Sequence, residues 1–371
     1  MKLGLCPALF CFVLPFAVFA GDSPFSPASV RYNLKVKVEI PAGEEKNLRL
    51  WIPYPADNTT QKILRVAIDA PYPWQINRED RYGNKMLFIK GKVKKTRWFV
   101  TMDIDLERRI DTGTPPEKIN GDETMDPKNY LGPTPSIPFS DEIIRIAQKE
   151  TRGLETSFQK IQALYDYIYE TMTYNKDGEG WGQGDPVWAC ANKRGNCTDF
   201  HSLFIALANT QNIPARFEIG LPISHDKTSG KIPGYHCWAQ AFDPVRGWVP
   251  LDASESKKRG EKYFYFKKLG QDRILFSTGR GITLNPPQKG EPINYFFSPY
   301  SEIEDERWDA VKASYFVTAG TTNGNIGEIS EADALCVADD NYPGAGSGGG
   351  FIWNNSFIHI RSRFCDEFSK I

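Results

Sequence analysis

Arg194-Gly195-Asn196-Cys197-Thr198-Asp199-Phe200-His201-Ser202-Leu203-Phe204-Ile205-Ala206-Leu207-Ala208-Asn209 turns from a glycine loop into a helix within three residues. Phe200, Leu203, Phe204 and Leu207 recur at the i, i+3, i+4, i+7 spacing of one helix face, and Asn212-Ile213-Pro214 stops the run. Cys197 therefore stands at a helix N-terminus. The positive end of the helix dipole and the unpaired N–H groups there favour thiolate, so its pKa should fall below the free value of about 8.5. The same N–H groups can hold an oxyanion.

Two residues downstream complete a chemical set. His236 follows 39 positions later in Gly234-Tyr235-His236-Cys237-Trp238, at the start of a predicted strand 236–242. Asp252 lies 16 further on, after Gly247-Trp248-Val249-Pro250-Leu251. Two strands joined by an Asp243–Gly247 turn bring His236 and Asp252 side by side. Asp252 then fixes the tautomer of His236 and stabilises its imidazolium, as in any nucleophile–base–orienter triad. Spacing alone leaves a second reading open, a buried inert cysteine and a satisfied histidine.

The blocks GNCTDFHSLFIALA (195–208), IPARF (213–217), GYHCWAQAF (234–242) and GWVPLDAS (247–254) together resemble the transglutaminase-like superfamily. The likeness is strongest over 185–255 and extends plausibly over 140–300. It implies a papain-like core in which Cys197 is nucleophile, His236 base and Asp252 orienter, with Trp188 near the oxyanion site. It implies acyl transfer through a thioester, with a protein or peptide as substrate and no cofactor. Hydrolysis, as by a protease or amidase, is expected over cross-linking to an amine. The competing reading is a surface adhesion or binding protein that uses this core as scaffold.

The other core cysteines are expected to be structural. Cys237 adjoins His236, and neighbours on a strand point to opposite faces, so packing is its expected role. Cys190 is expected to be buried or paired with Cys237. A zinc site from Cys190, Cys197, Cys237 and His236 matches no paired CxxC spacing, and no EF-hand pattern is present. The loop Asp177–Asp185 (DGEGWGQGD) lacks the Lys-Ser/Thr of a phosphate loop.

The expected fold class is α+β: an N-terminal antiparallel β-sandwich, then the core, then a small irregular C-terminal extension. Val30–Ile40 alternates apolar and polar residues as a half-buried strand does, and further strands are expected at 48–52, 63–68, 85–89 and 98–104. Residues 111–139 are polar and rich in Pro, Gly and Asp, and are expected to be a linker or a long surface loop. Helical periodicity begins at Ser140, with Ile161, Leu164, Tyr165, Ile168 and Tyr169 on one face of the second helix.

The two ends of the chain carry different signals. Residues 1–20 (MKLGLCPALFCFVLPFAVFA) read as a secretory signal, which points to a secreted or periplasmic protein, or one at the cell surface. Its removal leaves Cys190, Cys197, Cys237, Cys336 and Cys365, an odd number. Residues 301–371 are expected to be a partial or unstructured tail. Within it Tyr315–Thr318, Asn323–Gly327 and Ala332–Cys336 resemble the opening of a lectin-like domain of spirochaete surface proteins. Lys plus Arg is 45 against 46 for Asp plus Glu. That balance offers no net field for nucleic acid, and no apolar run beyond the N-terminus suggests a membrane span.

Overall fold

The computed structural model describes residues 29–118, 126–223 and 229–320. The signal-like segment 1–20, His225, His359, Cys336, Cys365 and the lectin-like stretch from Asn323 onward lie outside the described residues.

The chain opens with six strands, β1 (Ser29–Ile40), β2 (Asn47–Tyr54), β3 (Gln61–Asp69), β4 (Trp74–Arg78), β5 (Lys85–Lys92) and β6 (Trp98–Arg109). Helices α1 (Asp141–Glu150) and α2 (Ser157–Thr171) follow, then β7 (Thr173–Tyr174), α3 (Pro186–Asn192), β8 (Arg194–Gly195) and α4 (Cys197–Thr210). Next come β9 (Ala215–Pro222), β10 (Ser229–Ile232), β11 (His236–Asp243), β12 (Gly247–Leu251), α5 (Ala253–Arg259) and β13 (Arg273–Thr278). The described chain closes with β14 (Tyr300–Ile303), β15 (Glu306–Arg307) and β16 (Lys312–Ala319). The fold class is α+β and dominated by antiparallel sheets, with a β-rich region ahead of the helical core, as the sequence predicts.

Two five-stranded sheets make the β-rich region, in the orders β10-β16-β1-β6-β3 and β15-β14-β2-β5-β4. Their inward faces share one apolar core, to which Leu34, Val36 and Val38 of β1, Leu48 and Leu50 of β2, and Ile89 of β5 all belong. Strict alternation explains β6: Trp98, Val100, Met102, Ile104 and Leu106 are buried while the residues between them are not. A third sheet, β12-β11-β9-β13, carries the functional elements. Helix α4 packs against its β9 and β11, with α1, α2, α3 and α5 around it. Every residue of α4 from Cys197 to Asn209 is buried. The apolar stripe read from the sequence thus extends to all faces of the helix, as a helix enclosed by the core requires.

Two expected boundaries move. The described parts of 111–139, residues 111–118 and 126–139, are tied into the core rather than forming a free linker. Asp111 exchanges backbone hydrogen bonds with Leu269, Thr114 exchanges them with Trp248, and Tyr130 is buried beside Trp248. Residues 300–319 return to the N-terminal sheets rather than starting a tail. β16 pairs with β1 from Tyr32↔Ala319 to Glu39↔Lys312, and β14 pairs with β2. Local patterning shows that Tyr315–Thr318 is a strand, but its partner lies almost 280 residues earlier, and no local signal encodes that pairing.

Candidate active site

Asn196 is the N-cap of α4, and its side chain accepts from the Thr198 N–H at 2.8 Å. Asp199, three residues later, reaches back to the Asn196 N–H at 2.9 Å and completes a capping box. The same carboxylate accepts from Gly182 N at 2.7 Å and Gly184 N at 3.1 Å, so it pins the glycine loop to the start of the nucleophile helix. Gly195 has φ 145°, and a Cβ there would overlap the Asp199 carboxylate. That glycine is required by space and by backbone conformation together. Arg280 holds the other side of the loop, donating to Gly184 O, Gln183 O and Ser202 Oγ.

β11 and β12 form the expected hairpin, in the register Asp243↔Gly247 to Ala239↔Leu251. That register alone would set Asp252 across from Trp238. Asp252 reaches His236 because it leaves the strand as the N-cap of α5. Its Oδ2 lies 2.6 Å from His236 Nε2 and 3.1 Å from Arg273 Nη1. Its Oδ1 accepts from Ser254 Oγ and Glu255 N, both at 2.9 Å. The carboxylate is an acceptor only, so His236 Nε2 carries the proton. The His236 ring and the Cys197 thiol act on each other's ionisation. The structure thus brings Cys197 at the start of α4 near the hydrogen-bonded His236–Asp252 pair, with all three buried.

The charges at this site support one another. Burial opposes ionisation of Cys197. The neighbouring Cys237 and His236 side chains, with the charges of His236 and His201, outweigh burial and hold the thiol well below its usual range. Burial likewise pushes His236 down, but the Asp252 charge and hydrogen bond, then Cys197, raise it to about 10. Asp252, despite burial, is held well below the carboxylate range by His236, His201 and Arg273. At neutral pH these directions give a thiolate–imidazolium pair beside a carboxylate.

Trp188 sits on α3 with its indole Nε1 against Gly180 and the Arg194 guanidinium over its ring. No described contact carries it to the thiol. Cys190, Cys197 and Cys237 are free, buried thiols. No bridge joins Cys190 to Cys237, and among the described residues no cluster of His, Cys, Asp and Glu could hold a metal ion.

Several neighbours of the site were not visible in the sequence. Cys237, expected to pack away, lies with its Sγ 3.8 Å from both Thr198 Oγ1 and His201 Nδ1, on the first turns of the helix that Cys197 starts. His236 is the first residue of β11 and Cys237 the second. His201, one turn after Cys197, donates from Nδ1 to the Cys197 carbonyl at 2.8 Å and turns Nε2 toward Asp252 Oδ1 at 3.6 Å. Tyr235 meets Asn196 Nδ2 and Thr198 Oγ1, each at 3.2 Å, and burial followed by the Cys197 charge raises its pKa. The spacing Asn196-x-x-Asp199 could have revealed the capping box. Nothing local marks Arg273 or Arg280.

The fold and site define a class, proteins built around a helix-borne thiol beside a hydrogen-bonded histidine–carboxylate pair. Within this chain, residues 144–253 match the family model of the transglutaminase-like superfamily, so the chain contains a transglutaminase-like domain. An uncharacterized protein of Haemophilus influenzae is 26% identical over 308 residues, covering 71% of this chain and 83% of that protein. A solved structure of a candidate cysteine protease from Cytophaga hutchinsonii shares the fold at TM-score 0.53 and 15% identity, covering 81% of this chain and 93% of that one. The periplasmic domain of TgpA from Pseudomonas aeruginosa aligns at TM-score 0.33 and 13% identity, over 64% of this chain and 93% of that one.

Proposed function

We propose that this protein is an exported cysteine-dependent acyl-transfer enzyme that hydrolyses amide bonds of a protein or peptide substrate. The observation that carries the reading is the His236 Nε2–Asp252 Oδ2 hydrogen bond of 2.6 Å beside Cys197, the first residue of α4. The Cys197 thiolate attacks the amide carbonyl carbon and forms a C–S bond. The oxyanion is met by the Cys197 backbone N–H at the start of α4. The C–N bond then breaks, and the His236 imidazolium gives its proton to the leaving amine or ammonia. Water attacks the thioester, passing one proton to His236. The C–S bond breaks, leaving a carboxylic product and the thiolate–imidazolium pair restored. Asp252 keeps Nε2 protonated and steadies the imidazolium throughout.

Trp188 is proposed as a second oxyanion donor, which requires the Gly180 segment to lift from its Nε1. Hydrolysis is preferred over amine transfer because the structural relative from Cytophaga hutchinsonii is described as a candidate cysteine protease. The signal-like residues 1–20 support export. No helix among the described residues is long and apolar enough to cross a membrane.

The test uses the purified protein, a glutamine-containing protein substrate and a labelled primary amine, with Cys197→Ala as control. Cys197-dependent ammonia release or new peptide ends, without amine uptake, is the expected result. Cys197-dependent amine incorporation would replace hydrolysis with cross-linking. A Cys197 that resists mild alkylation at neutral pH would remove the enzyme reading and leave a scaffold.

A further inference from the structure

Arg108 occupies a position that strand alternation reserves for an apolar side chain. It follows Trp98, Val100, Met102, Ile104 and Leu106 as the sixth inward residue of β6 and is only 2% exposed. Its guanidinium makes one hydrogen bond, from Nη1 to Thr60 Oγ1 at 3.0 Å, and its buried Nε has no partner. Three carboxylates act on it through space, Asp111, Glu218 and Asp272, but none is paired with it directly. Two of these already serve other donors: Asp111 accepts from Gly113 N and Gln240 Nε2, and Glu218 from Trp238 Nε1 and Gln240 Nε2. A buried guanidinium with an unused donor is costly unless something else supplies an acceptor.

Arg108 lines a cleft of about 120 Å³ between the β-rich region and the β9-β11-β13 face. Ser277 lines the same cleft, and its buried hydroxyl also lacks a partner. The walls are braced on both sides of Ser277. Gln61 bonds Leu275 through N–H and C=O, at 2.9 and 3.0 Å, and Asn84 bonds Thr278 in the same way, at 2.7 and 2.8 Å. These amide clamps hold the cleft in shape before anything binds. Trp238 forms part of the wall, two residues along β11 from His236.

We infer that this cleft is a binding site for a small oxyanion, with Arg108 as its cationic anchor and the Ser277 hydroxyl as a second donor. The ligand class is a small carboxylate or a free phosphate, since both present the acceptor oxygens that a guanidinium edge takes. The site is separate from the Cys197 chemistry, and its test does not depend on catalysis.

The experiment follows the melting midpoint of the purified protein and measures Kd by calorimetry. Sodium phosphate and sodium acetate are titrated separately against sodium chloride at matched ionic strength. At tenfold excess over Kd, the occupying oxyanion should raise the midpoint by about 3 °C above chloride. A response to phosphate alone, or to acetate alone, identifies which oxyanion the cleft takes. Arg108→Met should remove the response while melting no lower than the unliganded parent, because it replaces an unpaired charge with a side chain that suits the stripe. Should that variant fail to fold, Ser277→Ala keeps the test open and should weaken binding about three- to tenfold. No response to either anion would overturn the inference. So would a response unchanged in the foldable variant, since it would place binding elsewhere on the surface.

Discussion

Replacing Asp252 with Asn tests how the thiolate is held. The Asn Oδ1 can still cap α5 by accepting from Glu255 N, so the local turn survives. The amide NH2, however, now faces His236 Nε2 and Arg273 Nη1, both donors in the parent. His236 loses the charge and hydrogen bond that raise its pKa, and its burial then favours the neutral ring. Cys197 in turn loses an imidazolium neighbour and moves back toward the ordinary thiol range. At pH 6 a thiol of pKa about 8.5 is only about 0.3% thiolate, whereas one held well below that range is ionised to a larger fraction. Lowered pKa also lowers nucleophilicity, by a Brønsted coefficient of about 0.4–0.5, which returns only part of that gain. The parent should therefore alkylate at Cys197 faster than the variant at pH 6, and its advantage should shrink as pH rises toward 8.

Iodoacetamide labelling mapped by mass spectrometry separates Cys197 from Cys190 and Cys237. The parent rate should rise less steeply from pH 6 to 8 than that of Asp252→Asn, which should rise by about tenfold per pH unit over the lower part of that range. The same steep rise in the parent would refute the ion-pair account. Breaking this buried pair also costs about 3–5 kcal/mol, so both proteins are labelled well below the variant's melting midpoint.

Gly195→Ala should cost about 3 kcal/mol and lower the melting midpoint by about 6–10 °C in a thermal scan, because the added Cβ meets Asp199 at a φ that L-residues avoid; an unchanged midpoint would mean that the capping box is dispensable. Trp188→Phe should reduce kcat by about 100-fold on an amide substrate with Cys197 labelling unchanged; full activity would exclude the indole as an oxyanion donor. The pH dependence of kcat/KM should fall on the alkaline side near 10, because the imidazolium that protonates the leaving amine is lost as pH rises through the raised pKa of His236; a limb near 6.5 would show that Asp252 does not stabilise the imidazolium. Linkage has the same sign: His236 stabilises the fold fully below its unfolded value of about 6.5 and loses that contribution as pH rises toward 10.

Much of this architecture is written in local pattern. The alternation of β1 and β6, the periodicity of α2 and α4, and the Asp243–Gly247 turn are each readable because burial imposes a period of two or of 3.6. Placing Cys197 at a helix start and His236 at a strand start needs nothing beyond those periods. What escaped is what several distant segments build together. The linker reading of 111–139 follows from its polar composition, yet backbone hydrogen bonds to Trp248 and Leu269 lock Thr114 and Asp111 into the core. The tail reading of 301–371 follows from a change in character, yet β14 and β16 complete sheets begun at β2 and β1.

The sequence by itself determined the α+β order of elements and where Cys197, His236 and Asp252 stand in it, because each is marked by a helix cap, a strand start or a turn within a few residues. The tertiary structure alone decided how those residues are tuned. Arg273 and His201 beside Asp252, Cys237 against the nucleophile, and Asp199 and Arg280 clamping the glycine loop come from five separate positions. Their effect depends on distance and burial, and electrostatic energy in a buried site changes steeply over a few ångströms that no sequence spacing specifies.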